Sequence, residues 1–365
     1  MRSFIAALSL SILAVASVQA DDPYTVENVS IDASADNALE AQTAAMRQGQ
    51  EDAARVLIER LTLQEDRAGT GFDFEPHMNE FGEMVVSAEL DQTIVAEMIS
   101  GLEIQNEQRS STRYLADLNI SFDPRAVERV FGAYGIPYVS AQARPTLVLP
   151  ILDGATDFRL WDNNPWREAW TSQSFANSLT PMFVPGNMEG AALISARDAL
   201  SLNEEALRAA GAYYGVNRIA VLRAQERGGI RRFGGYLVNL DNVEELTVET
   251  WGPQTVYGGW SNAAQQFVLD RETEWKRQSI VRDGETQEFR VTVLYGGLSE
   301  WRSLQMALTG ASLVEDARLD AMSRDGALMT VNYRGALEQL VSELAERGAA
   351  LEEYPDLGWV VRTEY

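Results

Sequence analysis

The chain has 365 residues, long enough for two or three domains, and its 45% hydrophobic content is ample for packed cores. It carries 54 Asp and Glu against 30 Lys and Arg, a formal charge of −24. A nucleic-acid backbone would therefore meet net repulsion, and no basic cluster is large enough to reverse it. With no cysteine there are no disulfides, thiolate ligands or lipid-bearing thiols; a Ser-His-Asp mechanism would have to run through the one histidine, His77, whose neighbours form none of the expected arrangements, and a His-based zinc site would lack its second and third nitrogen ligands.

The first twenty residues read as a secretory leader. Arg2 supplies the positive end, Phe4 to Ala16 a short apolar stretch, and Val18-Gln19-Ala20 the small-residue pattern cut by a signal peptidase. Cleavage after Ala20 leaves 29 basic against 54 acidic residues, a formal −25. No later stretch approaches the ~20 apolar residues of a spanning helix, so an exported, periplasmic product without an integral membrane span is expected.

Tyr24 to Ile31 alternates as a strand, and Ala41, Ala44, Ala45, Ala53, Val56, Leu57 and Leu61 recur at helical spacing after it. The spacing predicts a second helix over Leu90 to Leu102, a strand over Arg113 to Phe122, and a helix started by Asp123-Pro124. A linker, Gly132 to Arg144, leads to the run Thr146 to Leu152, which is apolar, partly β-branched and closed by Asp153-Gly154: a buried strand. Asn164-Pro165 opens a helix with Trp166 and Trp170 on one face. A strand is predicted at Leu179 to Val184, a helix from Asn203 to Gly215 and a strand from Arg218 to Ala224. A hairpin then turns near Gly228-Gly229, with Gly235 to Leu240 and Val243 to Trp251 as strands, before a helix from Ser261 to Ile280. The last segment reads strand (Phe289 to Tyr295), helix (Leu298 to Leu308), two strands about Arg324-Asp325-Gly326, helix (Leu337 to Leu344) and final strand (Trp359 to Val361).

The expected fold class is α+β: two or three small mixed α/β sandwich domains at 21–143, 144–284 and 285–365 after a signal peptide at 1–20. The last has the β-α-β-β-α-β order of ferredoxin-like sandwiches, which implies no function.

Tyr24, Val26, Val29 and Ile31 with Ala41, Ala44, Gly49, Ala53-Ala54 and Leu61; Arg144-Pro145-Thr146-Leu147-Val148-Leu149; and Trp301, Leu308, Tyr333, Gly335, Leu340 and Leu344 together resemble the bacterial domain-of-unknown-function family numbered 2066. The resemblance spans most of the mature chain and implies an exported protein without an assigned activity. The middle domain's element order is also similar to periplasmic domains of envelope assembly factors, the TolB amino-terminal and curli-secretion types.

Three features could carry chemistry. Asp153, Asp157 and Asp162 lie near aromatic residues, as a glycosidase acid/base pair would, although three aspartates need no special cause in so acidic a chain. Trp161, Trp166 and Trp170 would serve as a stacking platform or as core. Arg227, Arg231 and Arg232 around two glycine pairs make a positive hairpin tip, suited to an anionic glycan, a phosphate or an acidic partner, or else a charged tip that discourages edge pairing. Trp161, Trp166, Arg227, Arg231 and Arg232 are thus the expected ligand or partner contacts. No catalytic, metal or cofactor residue is assigned and no cofactor is expected. The expected function is a non-catalytic exported binding or scaffold protein of the bacterial envelope, its partner a protein or an envelope glycan; the alternative is a carbohydrate-active or cell-wall-acting hydrolase using paired carboxylates. At an exposed tip, Arg231→Ala should change stability by less than about 0.5 kcal/mol.

Overall fold

The computed structural model describes residues 22–363 except 75–76, 79–83, 86–89, 140, 155, 187–190, 243–244, 281–285, 312 and 356. The leader and its cleavage after Ala20 lie outside the described residues. In chain order the first elements are β1 (Thr25–Ser34), α1 (Ala38–Leu61), α2 (Gln64–Arg67), β2 (His77–Met78), β3 (Met84–Val85), α3 (Gln92–Met98), β4 (Ile99–Arg109), β5 (Arg113–Phe122) and α4 (Pro124–Tyr134). They are followed by β6 (Thr146–Asp153), β7 (Phe158–Arg159), α5 (Pro165–Thr171), β8 (Met182–Phe183), α6 (Ala196–Leu200), α7 (Glu204–Tyr214), β9 (Arg218–Arg227), β10 (Ile230–Asn239), β11 (Thr247–Val256) and α8 (Trp260–Ser279). The last are β12 (Gln287–Leu294), α9 (Leu298–Thr309), β13 (Val314–Met322), β14 (Gly326–Tyr333), α10 (Leu337–Glu346), β15 (Ala349–Tyr354) and β16 (Gly358–Thr363). The class is α+β, with several small mixed or antiparallel sheets.

Where three consecutive domains are expected from the sequence, the contacts group the chain into two units. One holds residues 145–172 and 183–260; the other holds 22–144, 173–182 and 261–363.

In the larger unit, β1, β5 and β4 form an antiparallel sheet in the order β1-β5-β4. Helix α1 lies on it through Ala41, Ala45, Gly49, Ala53, Leu57 and Leu61, all buried. At Gly49 an added Cβ would sit 2.7 Å from a Leu118 methyl, so the small-residue stripe sets a close helix-to-sheet approach. Asn37 caps the helix start by accepting from the amides of Leu39 and Glu40. At its end the chain's only lysine, Lys276 of α8, donates to the carbonyls of Glu59 (2.9 Å) and Thr62 (3.1 Å). The helix expected over Leu90 to Leu102 is correct only as far as Met98. Ile99, Leu102 and Ile104 belong to β4, which turns back along β5; their spacing of three and two mimics a helical stripe.

The same unit contains the sheet β13-β14-β12-β16-β15, covered by Trp301, Leu304 and Leu308 of α9 and by Leu340 and Leu344 of α10. The expected β-α-β-β-α-β order is present with one strand more. β15 runs along the edge, so the last strand, β16, returns beside β12 and pairs with it in parallel. Only Ala349 and Leu351 of β15 face inward, and the acidic Glu352-Glu353 that follow hid the strand in the sequence. Carboxylates secure this fold. Glu300 accepts from the Thr363 hydroxyl and the Gly296 amide, and Asp320 from the Thr330 hydroxyl, and these hydrogen bonds hold both groups below the usual carboxylate range. A depressed carboxylate pKa gives stability that is present above the ordinary value and lost as pH falls through the folded one. Thermal midpoints should therefore fall steadily from about pH 5 to about pH 3; a flat profile would contradict these bonds.

The smaller unit is built around β6. Its six interior residues are all buried, which requires cover on both faces, and β9 pairs with it in parallel from Thr146↔Arg218 to Asp153↔Gln225. β10 and β11 complete the order β11-β10-β9-β6-β7. On one face Leu147, Leu149, Ile219 and Val221 pack against Ala199 of α6 and Leu207 and Ala210 of α7. On the other, Trp166 is fully buried with its ring 5.3 Å from Phe233, 5.5 Å from Trp170 and 5.5 Å from Trp260. Buried Asn164 fixes the start of α5. Its amide donates to the carbonyls of Pro150 (2.7 Å) and Arg159 (2.8 Å), while its oxygen accepts from the Arg167 amide.

Candidate functional site: a glycine-floored cleft with arginine walls

The hairpin of β9 and β10 sets the site. Gly228 and Gly229 both have positive φ, 59° and 76°, as a two-residue turn that matches strand twist demands. That turn fixes the register Arg227↔Ile230, Glu226↔Arg231, Gln225↔Arg232 and Arg223↔Gly234. Because facing residues share a side of the sheet, Arg223, Gln225, Arg227 and Arg232 stand on one face, and Glu226 and Arg231 on the other.

Along the sheet here lies a cleft of about 440 Å³, lined by Phe158, Leu200, Val221, Arg223, Gln225, Arg232, Phe233, Tyr236, Thr250 and Trp251 with Gly234, Gly235, Gly252 and Pro253. Glycines let the strands close up beside it. An added Cβ on Gly234 would stand 2.9 Å from both Pro253 Cα and the Trp251 carbonyl oxygen, and one on Gly235 would land on the Val221 carbonyl. The ladder register shifts between Phe233 and Gly235, and β11 continues through Gly252-Pro253 instead of stopping at Trp251. Three side-chain-free positions thus meet across two strands and leave the sheet bare. The cleft lies toward the carboxyl ends of the parallel pair β6 and β9, where open α/β sheets commonly bind ligands.

The charges around it are unequal. Asp153, at the end of β6, is nearly buried, and its Oδ2 accepts from Arg223 at 2.5 and 3.2 Å and lies 3.7 Å from the Arg227 guanidinium. Arg223 is also seated over the Phe158 ring, 5.2 Å from its centre. Arg232 is exposed and, among the described residues, has no carboxylate partner. Three guanidinium groups thus stand against one carboxylate. Arg227 and Arg232 also border a smaller hollow with Gln225 and Ile230, continuing the positive rim toward the hairpin turn.

The expected contacts therefore separate. Arg232 lines the cleft and Arg227 its rim. Arg231 does not join them: it donates to Glu226 Oε2 and to the Gly258 carbonyl, both at 2.9 Å, and lies over the Trp260 ring. It is a strut on the opposite face, which corrects its expected role. Arg231→Ala should cost about 1 to 2 kcal/mol in a denaturant melt, more than an ordinary exposed tip; an unchanged midpoint would contradict the strut. Trp166 is core, which removes it from the expected contacts. Trp161 donates its indole N–H to the Ile194 carbonyl at 3.0 Å and carries Arg167 beside its ring, outside the cleft lining. The cleft residues that sequence reasoning passed over are Arg223, Gln225, Tyr236 and Thr250. Counting by twos outward from Gly228-Gly229 finds the first two, since that parity puts Arg232 opposite Gln225.

The aspartates of the sequence stand among arginines. Asp153 faces guanidinium groups, and Asp157 stands 3.7 Å from Arg159. His77 belongs to the other unit, where it pairs with Val85 in the β2–β3 ladder. Among the described residues no group of three or more His, Cys, Asp or Glu is placed to hold a metal ion, and no helix is long and apolar enough to cross a membrane. No family model, no curated protein and no solved structure matches this chain.

Proposed function

We propose that this chain is a non-catalytic, exported binding protein of the bacterial envelope, and that it recognises an anionic group in the cleft of the smaller unit. The observation that carries the reading is Arg232: a guanidinium without a carboxylate partner among the described residues, on the wall of a glycine-floored cleft beside Arg223, whose own charge is already balanced by Asp153. A guanidinium on the wall of a cleft, with its donors in a fixed fork, suits a carboxylate or phosphate from outside. Among the described residues the lining offers hydrogen-bond donors and aromatic edges, and Asp153 beside it is engaged in ion pairs, which favours recognition. Export rests on the leader at residues 1–20, and an envelope role on the resemblance to the family numbered 2066.

The test is equilibrium dialysis of small carboxylates and phosphates against the wild-type chain and Arg232→Ala. Binding should be salt-sensitive and should weaken at least about tenfold in the variant, the worth of one charge-assisted contact. Equal binding by both proteins, or reproducible turnover of a glycan, peptide or ester abolished by Asp153→Asn, would overturn the proposal.

A further inference from the structure

Resting on that reading, we propose that the ligand is a short acidic saccharide whose ring carboxylate, of the uronate type, is taken by Arg232. Four features of the cleft favour a sugar acid over a simple phosphate. First, its volume of about 440 Å³ lies in the range of sites that enclose a whole small molecule, far more than one tetrahedral anion fills. Second, Gly234, Gly235 and Gly252 line it without side chains, and Phe158, about half exposed, and Tyr236 offer ring surfaces beside them. A pyranose ring has flat C–H faces that pack on such surfaces while its rim stays polar. Third, Gln225 and Thr250 bring neutral groups that both donate and accept, the match for hydroxyls, which do both. Fourth, Leu200 of the lining stands at the carboxyl end of α6, and among the described lining residues none is at a helix amino terminus, whose amides favour a dianionic phosphate.

The charges agree. Arg223, Arg227 and Arg232 against Asp153 leave two positive charges unbalanced at the rim, enough for the carboxylates of a short uronate chain. Arg232 has the planar fork for a bidentate pair, and Arg227, 77% exposed at its side chain, can meet a second carboxylate toward the hollow beside the turn.

The experiment is calorimetric titration of the full chain with digalacturonate, neutral cellobiose, phenyl phosphate and inorganic phosphate, repeated on Arg232→Ala, Arg232→Lys and Thr250→Val. Digalacturonate should bind, cellobiose at least about tenfold more weakly, and Arg232→Ala should lose about tenfold or more. Arg232→Lys should recover only part of the loss, because an ammonium lacks the fork. Thr250→Val should weaken digalacturonate and leave any phenyl phosphate binding unchanged. Arg232 has no carboxylate partner among the described residues, so the thermal midpoint of Arg232→Ala should match wild type, and a loss of affinity at an unchanged midpoint cannot be misread as unfolding. Phenyl phosphate binding that depends on Arg232, with digalacturonate inert, would overturn the saccharide and leave the anion site standing. Cellobiose binding as tightly as digalacturonate would overturn the role of the carboxylate, and failure of every probe would overturn the anion site itself.

Discussion

Replacing Trp166 by alanine should destabilise the unit that holds it by about 3 to 5 kcal/mol, a large part of what keeps a domain folded. Trp166 is fully buried, and the rings of Trp170, Phe233 and Trp260 surround it, so truncation leaves a cavity that stiff aromatic neighbours cannot close. Its indole N–H, 3.3 Å from the Leu222 carbonyl, also ties α5 to β9. Trp166→Phe should recover much of the loss, since it restores most of the ring volume without that hydrogen bond. A denaturant melt followed by tryptophan fluorescence reads both variants. A midpoint unmoved by Trp166→Ala would place this residue on a surface and remove the reason for setting the ligand site on the other face.

The second large effect is expected at Gly235. An added methyl group meets the Val221 carbonyl inside van der Waals contact, and Leu222 Cα lies 3.1 Å from it, so backbone atoms and not a movable side chain oppose it. Gly235→Ala should cost about 3 kcal/mol or more and should also disturb the cleft, because β10 has to move away from β9 or slip its register. The matched control is Gly132→Ala in α4, where a Cβ meets nothing within 4 Å. There the exchange should stabilise the chain by about 0.5 to 1 kcal/mol through helix propensity. If the two alanine variants melt alike, the close approach of β9 and β10 is wrong.

These two sites also show what could be read from the chain in one dimension. Leu147 to Leu152 gave itself away as a central strand because an unbroken apolar run bounded by an Asp-Gly turn has few other solutions. Asp123 and Asn203 announced helix starts through side chains that do accept amides within the first turn. Strand β4 was hidden because Ile99 and Leu102 sit three apart, a helical spacing that the register shift after Ile99 brings into a strand, and β15 because its outer half is acidic. The cleft was out of reach for a different reason. Gly234, Gly235 and Gly252 become one floor only when β11 runs on through Pro253 and shifts register, a fact of pairing and not of spacing. The hairpin arginines were visible as a cluster, but Arg231 and Arg232 differ by one residue and hence by a whole face of the sheet. Without the register set at Gly228-Gly229, a strut and a ligand contact look alike.

The central claim is that an anion enters this cleft and meets Arg232. Backbone amide NMR of the isotope-labelled chain, titrated with the anion that dialysis finds to bind best, tests its location most directly. The account predicts saturable shifts concentrated at Gln225, Arg232, Gly234, Gly235, Thr250 and Gly252, lost in Arg232→Ala, with His77 and the β12–β16 sheet unmoved. Saturable shifts centred in the other unit, or a pattern that survives Arg232→Ala unchanged, would contradict it.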